Sequence, residues 1–350
     1  MGMIPITRGL WLACAVILGA LCLAETAKGG LVIDGTFGSS ITSLPDAAAV
    51  EAGIDQAISQ LEAAIANPIT VNIVFEDMST GLGMSDTYYN SLPYSQYLTD
   101  LKNNQTLSNE DKIALTNLPS QTDNPANGNA DVNLTLPLLR AIGETSLGDN
   151  AVSGGTDSVI SLNLADMNVS RTGTQNADDY DLQAVALHEM DEAMGIGGSG
   201  SELSSTDYAT GPVRPMDLFR YGAAGVRSYS MSPDVTSYFS IDGGATDLVH
   251  FNQSPDGDFG DWGDGSNPAQ DIGNTPPQVQ DAFGDPGVDV NLGTNELIAL
   301  DVVGYNLTEA VPEPGEDWLA AGGLLAVALT RRRMSMGGGQ AEGFTQRRNG

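Results

Sequence analysis

Asp181-Leu182-Gln183-Ala184-Val185-Ala186-Leu187-His188-Glu189-Met190-Asp191-Glu192-Ala193-Met194-Gly195 is the stretch on which the fold turns. Its apolar residues recur at helical spacing and a glycine follows, which predicts a helix from about Asp181 to Met194 closed by Gly195. Within it, His188 to Glu192 has the form H-E-x-x-E. Positions four apart share a helix face, so His188 and Glu192 can hold one ion together. Glu189 lies about 100° round from His188, where it can polarise a water on the ion instead of ligating. Zinc accepts imidazole nitrogen and carboxylate oxygen, which makes His188 and Glu192 candidate ligands and Glu189 the candidate general base. The competing reading is an exposed helix on which Asp191 and Glu192 are solvated charges.

On either side of this helix the pattern alternates between strand and helix. Val50, Ile54, Ile58, Leu61 and Ile65 recur at spacings of three and four, predicting an amphipathic helix over 47–66 with Asp46 as N-cap and Asn67-Pro68 as its stop. Ile69, Val71, Ile73 and Phe75 alternate with polar neighbours, a strand with one buried face. Residues 78–104, rich in Gly, Ser, Tyr and Asn, read as a long irregular segment. A short helix is expected near 108–117, a loop at 118–130, a strand at 131–136, a helical turn near 137–142 and a strand from Val159 to Leu164. Beyond the central helix the chain reads as loops with short elements at 215–221, 236–242 and 246–252. An apolar stretch from Asn295 to Val303 ends the ordered part. The expectation is one α+β domain with two lobes, a mixed twisted sheet and a loop-rich C-terminal lobe.

The 350 residues carry 45 acidic and 14 basic side chains, a formal charge of −31, with two histidines and two cysteines. That balance speaks against a nucleic-acid partner, which needs clustered Lys and Arg, and against an anionic membrane surface. With only His188 and His250, no three-histidine zinc site can form within one chain, so any metal site must lean on carboxylates.

Both ends read as processing signals. Residues 1–24 place Arg8 before an apolar run from Leu10 to Leu23, with cleavage expected after Ala24. That cut removes Cys14 and Cys22, leaving an exported chain without thiols. At the other end, Val311-Pro312-Glu313-Pro314 precedes the apolar stretch Trp318 to Thr330 and then Arg331-Arg332-Arg333. This order resembles the PEP-CTERM sorting signal of Gram-negative bacteria over 311–333. The resemblance implies an exosortase-type sorting enzyme as partner, release or anchoring at the cell surface, and only transient membrane contact through the C-terminal segment. Residues 334–350 are expected to form a disordered tail.

Over 31–310 the chain resembles exported zincin-type metalloproteases bearing such signals. The resemblance runs through Ile69-Thr70-Val71-Asn72-Ile73, Pro93-Tyr94-Ser95-Gln96-Tyr97-Leu98 and Ile160-Ser161-Leu162-Asn163-Leu164. It continues through His188 to Gly195, Asp217-Leu218-Phe219-Arg220-Tyr221, Phe259-Gly260-Asp261-Trp262 and Leu300-Asp301-Val302-Val303-Gly304-Tyr305. It implies a zinc-dependent endopeptidase acting on protein or peptide, with a strand above the helix holding extended substrate by main-chain hydrogen bonds. The chain departs from that family's H-E-x-x-H in one respect: Glu192 stands for the second histidine, and Gly198 stands where metzincins place a third.

The third ligand is open in the sequence. Asp217 is the first choice, against a salt bridge with Arg214 or Arg220; His250, Glu202 and Asp207 are the alternatives. Asp256, Asp258, Asp261 and Asp264 alternate with glycines, which suits calcium, against a merely acidic loop of Asx turns. Trp262, Phe259 and Phe251 are placed to pack that loop onto the domain. The alternative to an enzyme is therefore a non-catalytic, calcium-stabilised surface or biofilm-matrix protein that keeps a zincin fold.

Overall fold

The computed structural model describes residues 29–103, 106–149, 154–198, 213–230, 232, 234–263 and 276–308. The two terminal signals, the tail, Glu202, Asp207 and Asp264 lie outside these residues. In chain order the N-terminal part contains β1 (Val32–Phe37), α1 (Ser39–Thr42), α2 (Ala47–Ala64), β2 (Thr70–Asp77), β3 (Gly83–Thr87), β4 (Tyr89–Pro93) and α3 (Tyr94–Asn103). The middle adds α4 (Asn109–Asn117), β5 (Asp131–Thr135), α5 (Leu136–Ala141), α6 (Thr145–Gly148), β6 (Ser158–Leu162), β7 (Met167–Asn168), β8 (Tyr180–Asp181) and α7 (Leu182–Met194). The C-terminal part has a 3-10 turn at Pro215–Phe219, then β9 (Arg220–Ala223), β10 (Val226–Arg227), β11 (Tyr238–Phe239), β12 (Val249–His250) and α8 (Thr294–Val303). Among the described residues no helix is long and apolar enough to cross a membrane.

The alternation in β2 buries Val71, Ile73 and Phe75 on one face. This strand pairs in parallel with β1 and β6, and β3 joins β6 antiparallel at the edge, giving a mixed sheet in the order β1-β2-β6-β3. Helix α2 buries Val50, Ile54, Ala57, Ile58 and Leu61, and at Gly53 it approaches α7 so closely that a β-carbon would lie 2.9 Å from Leu182 Cδ2. A second sheet, β10-β9-β11-β12, is antiparallel throughout. The architecture is α+β.

Several elements depart from the sequence expectation. Residues 78–104 are not irregular: they hold β3, β4 and α3. β3 has no alternating apolar face, because an edge strand crossing a cleft has few hydrophobic neighbours to meet, and Met84 on it is 55% exposed. Helix α2 ends at Ala64, short of Asn67-Pro68, since Ile65 turns extended and bridges to Leu307. Asp46 occupies the N-cap position, but its side chain makes no capping bond. The apolar run 295–303 is the helix α8, buried on nearly every side between the two halves of the chain.

Candidate metal centre

Helix α7 begins where Asp181 accepts hydrogen bonds from the backbone N–H groups of Gln183 and Ala184, with Arg171 paired to the same carboxylate at 2.5 Å. It ends at Gly195, whose φ of +103° suits glycine alone at a left-handed C-cap. Tyr305 then donates from its hydroxyl to the Met194 carbonyl at 2.9 Å, fixing the last turn. Leu182, Ala186, Leu187, Met190, Ala193 and Met194 are all fully buried, so α7 is a central helix. Asp191 is wholly buried and Glu192 8% exposed, which removes the reading of both as solvated surface charges. Burial foremost, then the neighbouring Glu296, pushes Asp191 well above the usual carboxylate range.

The face of α7 carrying His188, Glu189 and Glu192 forms the floor of a cleft of about 560 Å³. Strand β3 supplies one wall, and segments 256–261 and 277–290 supply the other. His188 Nε2 lies 3.4 Å from Glu192 Oε1 and 3.6 Å from Asp261 Oδ2. Ligand atoms of these three residues fall within 4.8 Å of one another, the one group of three or more such residues among the described residues. His188 Nδ1 donates to the Val279 carbonyl at 2.9 Å, which turns Nε2 toward the two carboxylates. Ser85 on β3 donates to Glu192 Oε2 at 2.5 Å. Asp261 Oδ1 accepts from Gly198 N at 2.5 Å and from Gln280 Nε2 at 2.9 Å. Each ligand candidate is thus oriented by a second group.

Asp261 reaches this position through its neighbour. Trp262 is wholly buried, with its ring centroid 5.6 Å from that of Phe239 and 5.1 Å from that of Phe251, and its indole N–H donates to Glu296 at 3.1 Å. Gly260 N donates to the Gly198 carbonyl at 3.0 Å, drawing the two loops together where no side chain fits at Gly260. The aromatic anchoring expected of Trp262 and Phe251 is present, and it delivers a carboxylate to His188.

Asp217 is placed elsewhere. It lies in the 3-10 turn, 1% exposed, and its Oδ2 accepts from Arg214 N at 2.8 Å. Its carboxylate caps that turn, and its charge also faces the buried Arg220. Asp261 stands where a third ligand would. Asp256 and Asp258 line the same cleft without joining the cluster. His250 lies on β12 with Nε2 2.6 Å from Asp247 Oδ2, and Met216 is a buried core residue. Ser85 and Gln280 were not found by motif reasoning, and Asp261 was read as a calcium ligand instead, because the three come from segments that share no spacing with the helix.

Glu189 is 4% exposed; its Oε2 has no hydrogen-bond partner, and its Oε1 lies so near Gly83 that a β-carbon there would collide with it. Burial, then the Glu192 charge, pushes Glu189 well above the ordinary carboxylate range. Burial, with Glu192 and Asp258 adding to it, raises Asp261 to about 7. Burial works to lower His188, but Asp261, Glu192 and Glu189 outweigh it and hold the imidazole well above its usual value. An acid and a base that both tighten their hold on protons mark a point of strongly negative potential, which a divalent cation satisfies in place of protons. One imidazole nitrogen and two carboxylate oxygens, with an unanswered carboxylate oxygen beside them, form a donor set that could hold a metal ion. No family model, no curated protein and no solved structure matches this chain.

Proposed function

We propose that the chain is an exported zinc-dependent endopeptidase of zincin type, with His188, Glu192 and Asp261 as metal ligands and Glu189 as general base. The observation that carries this reading is the convergence of those three side chains beneath an edge strand, with the buried, partnerless Glu189 Oε2 beside them. A zinc ion there would supply Lewis acidity, polarising a carbonyl and bringing the pKa of water to about 7. Glu189 takes the proton of the attacking water and passes it to the leaving amine nitrogen. Among the described residues β3 pairs on one side only, with β6, so its other edge offers main-chain N–H and C=O groups to an extended peptide. Ser85 holds Glu192 in place from the same strand. Sorting by an exosortase-type enzyme to the surface of a Gram-negative cell, or secretion, belongs to the same proposal and follows from the two terminal signals.

Metal content and peptide cleavage test this together. Purified protein is expected to hold one zinc per chain by elemental analysis, lost in Asp261→Ala and kept in Asp217→Asn. Wild type is expected to cleave an unstructured protein such as casein, and Glu189→Gln to cleave it about 10²–10⁴-fold more slowly while keeping its zinc. A zinc-free wild type that still folds, or equal cleavage by the two proteins, defeats the reading.

A further inference from the structure

We infer that the cleft selects extended peptides carrying Lys or Arg beside the bond that lies over the metal centre; this rests on the endopeptidase reading and names its substrate class. Eight carboxylates line the cleft against a single imidazole, and no lysine or arginine is among the lining residues. Five of these carboxylates belong to the centre or to the frame of the cleft. Glu189, Glu192 and Asp261 belong to the centre, Asp181 caps α7 and pairs with Arg171, and Asp281 is buried and accepts from Gln278 N at 2.7 Å. The remaining three, Asp256, Asp258 and Asp285, are exposed to solvent within the cleft and add negative potential where a substrate chain would lie.

The lining also offers what a long basic side chain needs along its stem. Leu82 and Met84 on the β3 side, and Phe283 and Val288 on the other, present apolar surface among these carboxylates. Lys and Arg lay their methylene stems on apolar surface while the charged head reaches a carboxylate. An acidic side chain in the same place would meet like charge from the rim. A cleft lined by one sign of charge focuses its field and raises the local concentration of oppositely charged ligands, with association faster by 10–10³-fold.

Two fluorogenic peptides, identical except for Lys or Glu at the positions flanking the cleaved bond, test the inference on the zinc-loaded protein. The Lys peptide is expected to have a kcat/KM at least about tenfold higher at low salt, with the ratio shrinking as salt screens the rim. The triple variant Asp256→Asn, Asp258→Asn, Asp285→Asn is expected to bring the ratio toward one. A control triple, Asp46→Asn, Asp55→Asn, Asp123→Asn, changes three exposed carboxylates that do not line the cleft and is expected to leave it unchanged. A wild-type ratio near one overturns the selectivity while leaving peptide hydrolysis intact, and so does a ratio untouched by the cleft triple. If neither peptide is cleaved, fluorescence polarisation on the Glu189→Gln protein decides separately. Selective binding of the Lys peptide, lost in the cleft triple, retains the cationic-ligand inference while the hydrolase reading falls; equal or absent binding of both peptides overturns it.

Discussion

Among the described residues, two of the groups of buried carboxylates make a contrast. One is the α7 centre of His188, Glu189, Glu192 and Asp261. The other joins α4 to α8: Glu110, Asp111 and Asp301 are 6%, 5% and 2% exposed, around Ser108. In the second group the fold supplies the donors. Ser108 Oγ donates to Asp301 Oδ2 at 2.5 Å and accepts from Asp111 N at 2.8 Å, while Ser108 N donates to Asp111 Oδ2 at 3.0 Å. That is a capping box with one more acid added, closed on itself. At α7 the carboxylates face a cleft, an imidazole stands among them, and Glu189 Oε2 is unanswered. Burial raises the proton affinity of acids in both places, so that shift does not tell a site from a structural joint. The cleft and the imidazole do, since Asp191 in the core likewise has carboxylate oxygens without a partner.

This contrast can be broken at its functional end first. Gly83→Ala places a β-carbon against Glu189 Oε1 without touching any ligand candidate. Turnover is expected to fall about 10²-fold, the scale of a misplacement near 1 Å at a reacting group, with zinc content unchanged. Unaltered kinetics would show that the Glu189 carboxylate is free to move and is not positioned by β3.

Ser85→Ala should have the next largest effect. Removing the hydroxyl that holds Glu192 Oε2 is expected to weaken zinc about 10–100-fold in a chelator competition, as loss of an orienting partner does. An unchanged affinity would remove β3 from the support of the centre.

The smallest effect on the metal centre comes from the closed group, where the change falls on stability. Burial first, then Asp111, raises Asp301 to about 7, against an ordinary value of 3.8; burial raises Asp111 to about 6. A carboxyl whose folded value is raised contributes stability below its unfolded value, and that contribution is lost as pH rises through the folded one. The melting temperature is therefore expected to fall between pH 3.8 and about 7, each unit of elevation weighing about 1.4 kcal/mol at most. In Asp301→Asn this decline should flatten while zinc binding stays as in wild type. A melting profile as steep in the variant as in wild type would show that the joint is not proton-linked.

How far the sequence reached differs between the two halves of the centre. His188, Glu189 and Glu192 were legible because helical geometry alone puts residues four apart on one face, and Gly195 marks where the helix must end. Strand β2 was legible through its buried alternation, and β6 as a short, largely apolar run. β3 was not: Gly83-Met84-Ser85-Asp86-Thr87 carries no apolar period, since its side chains meet carboxylates and solvent. Asp261 was visible as an acidic loop residue and was assigned to calcium with Asp256, Asp258 and Asp264. The structure groups it with His188 instead, because Trp262 anchors it from the next position. Asp217 attracted attention as an acid between two arginines, and that arrangement explains its place in a capped turn.

The amino-acid sequence by itself therefore determined that any metal site had to lean on carboxylates, and which helix would carry the first two candidate ligands. Composition limits the donors, and a helix is a local, periodic object whose faces can be counted from residue numbers. Only the tertiary structure decided which carboxylate completes the set and which strand covers it. Those choices depend on where a buried tryptophan packs and on where two glycine-bearing loops touch. Such long-range contacts leave no period in the chain.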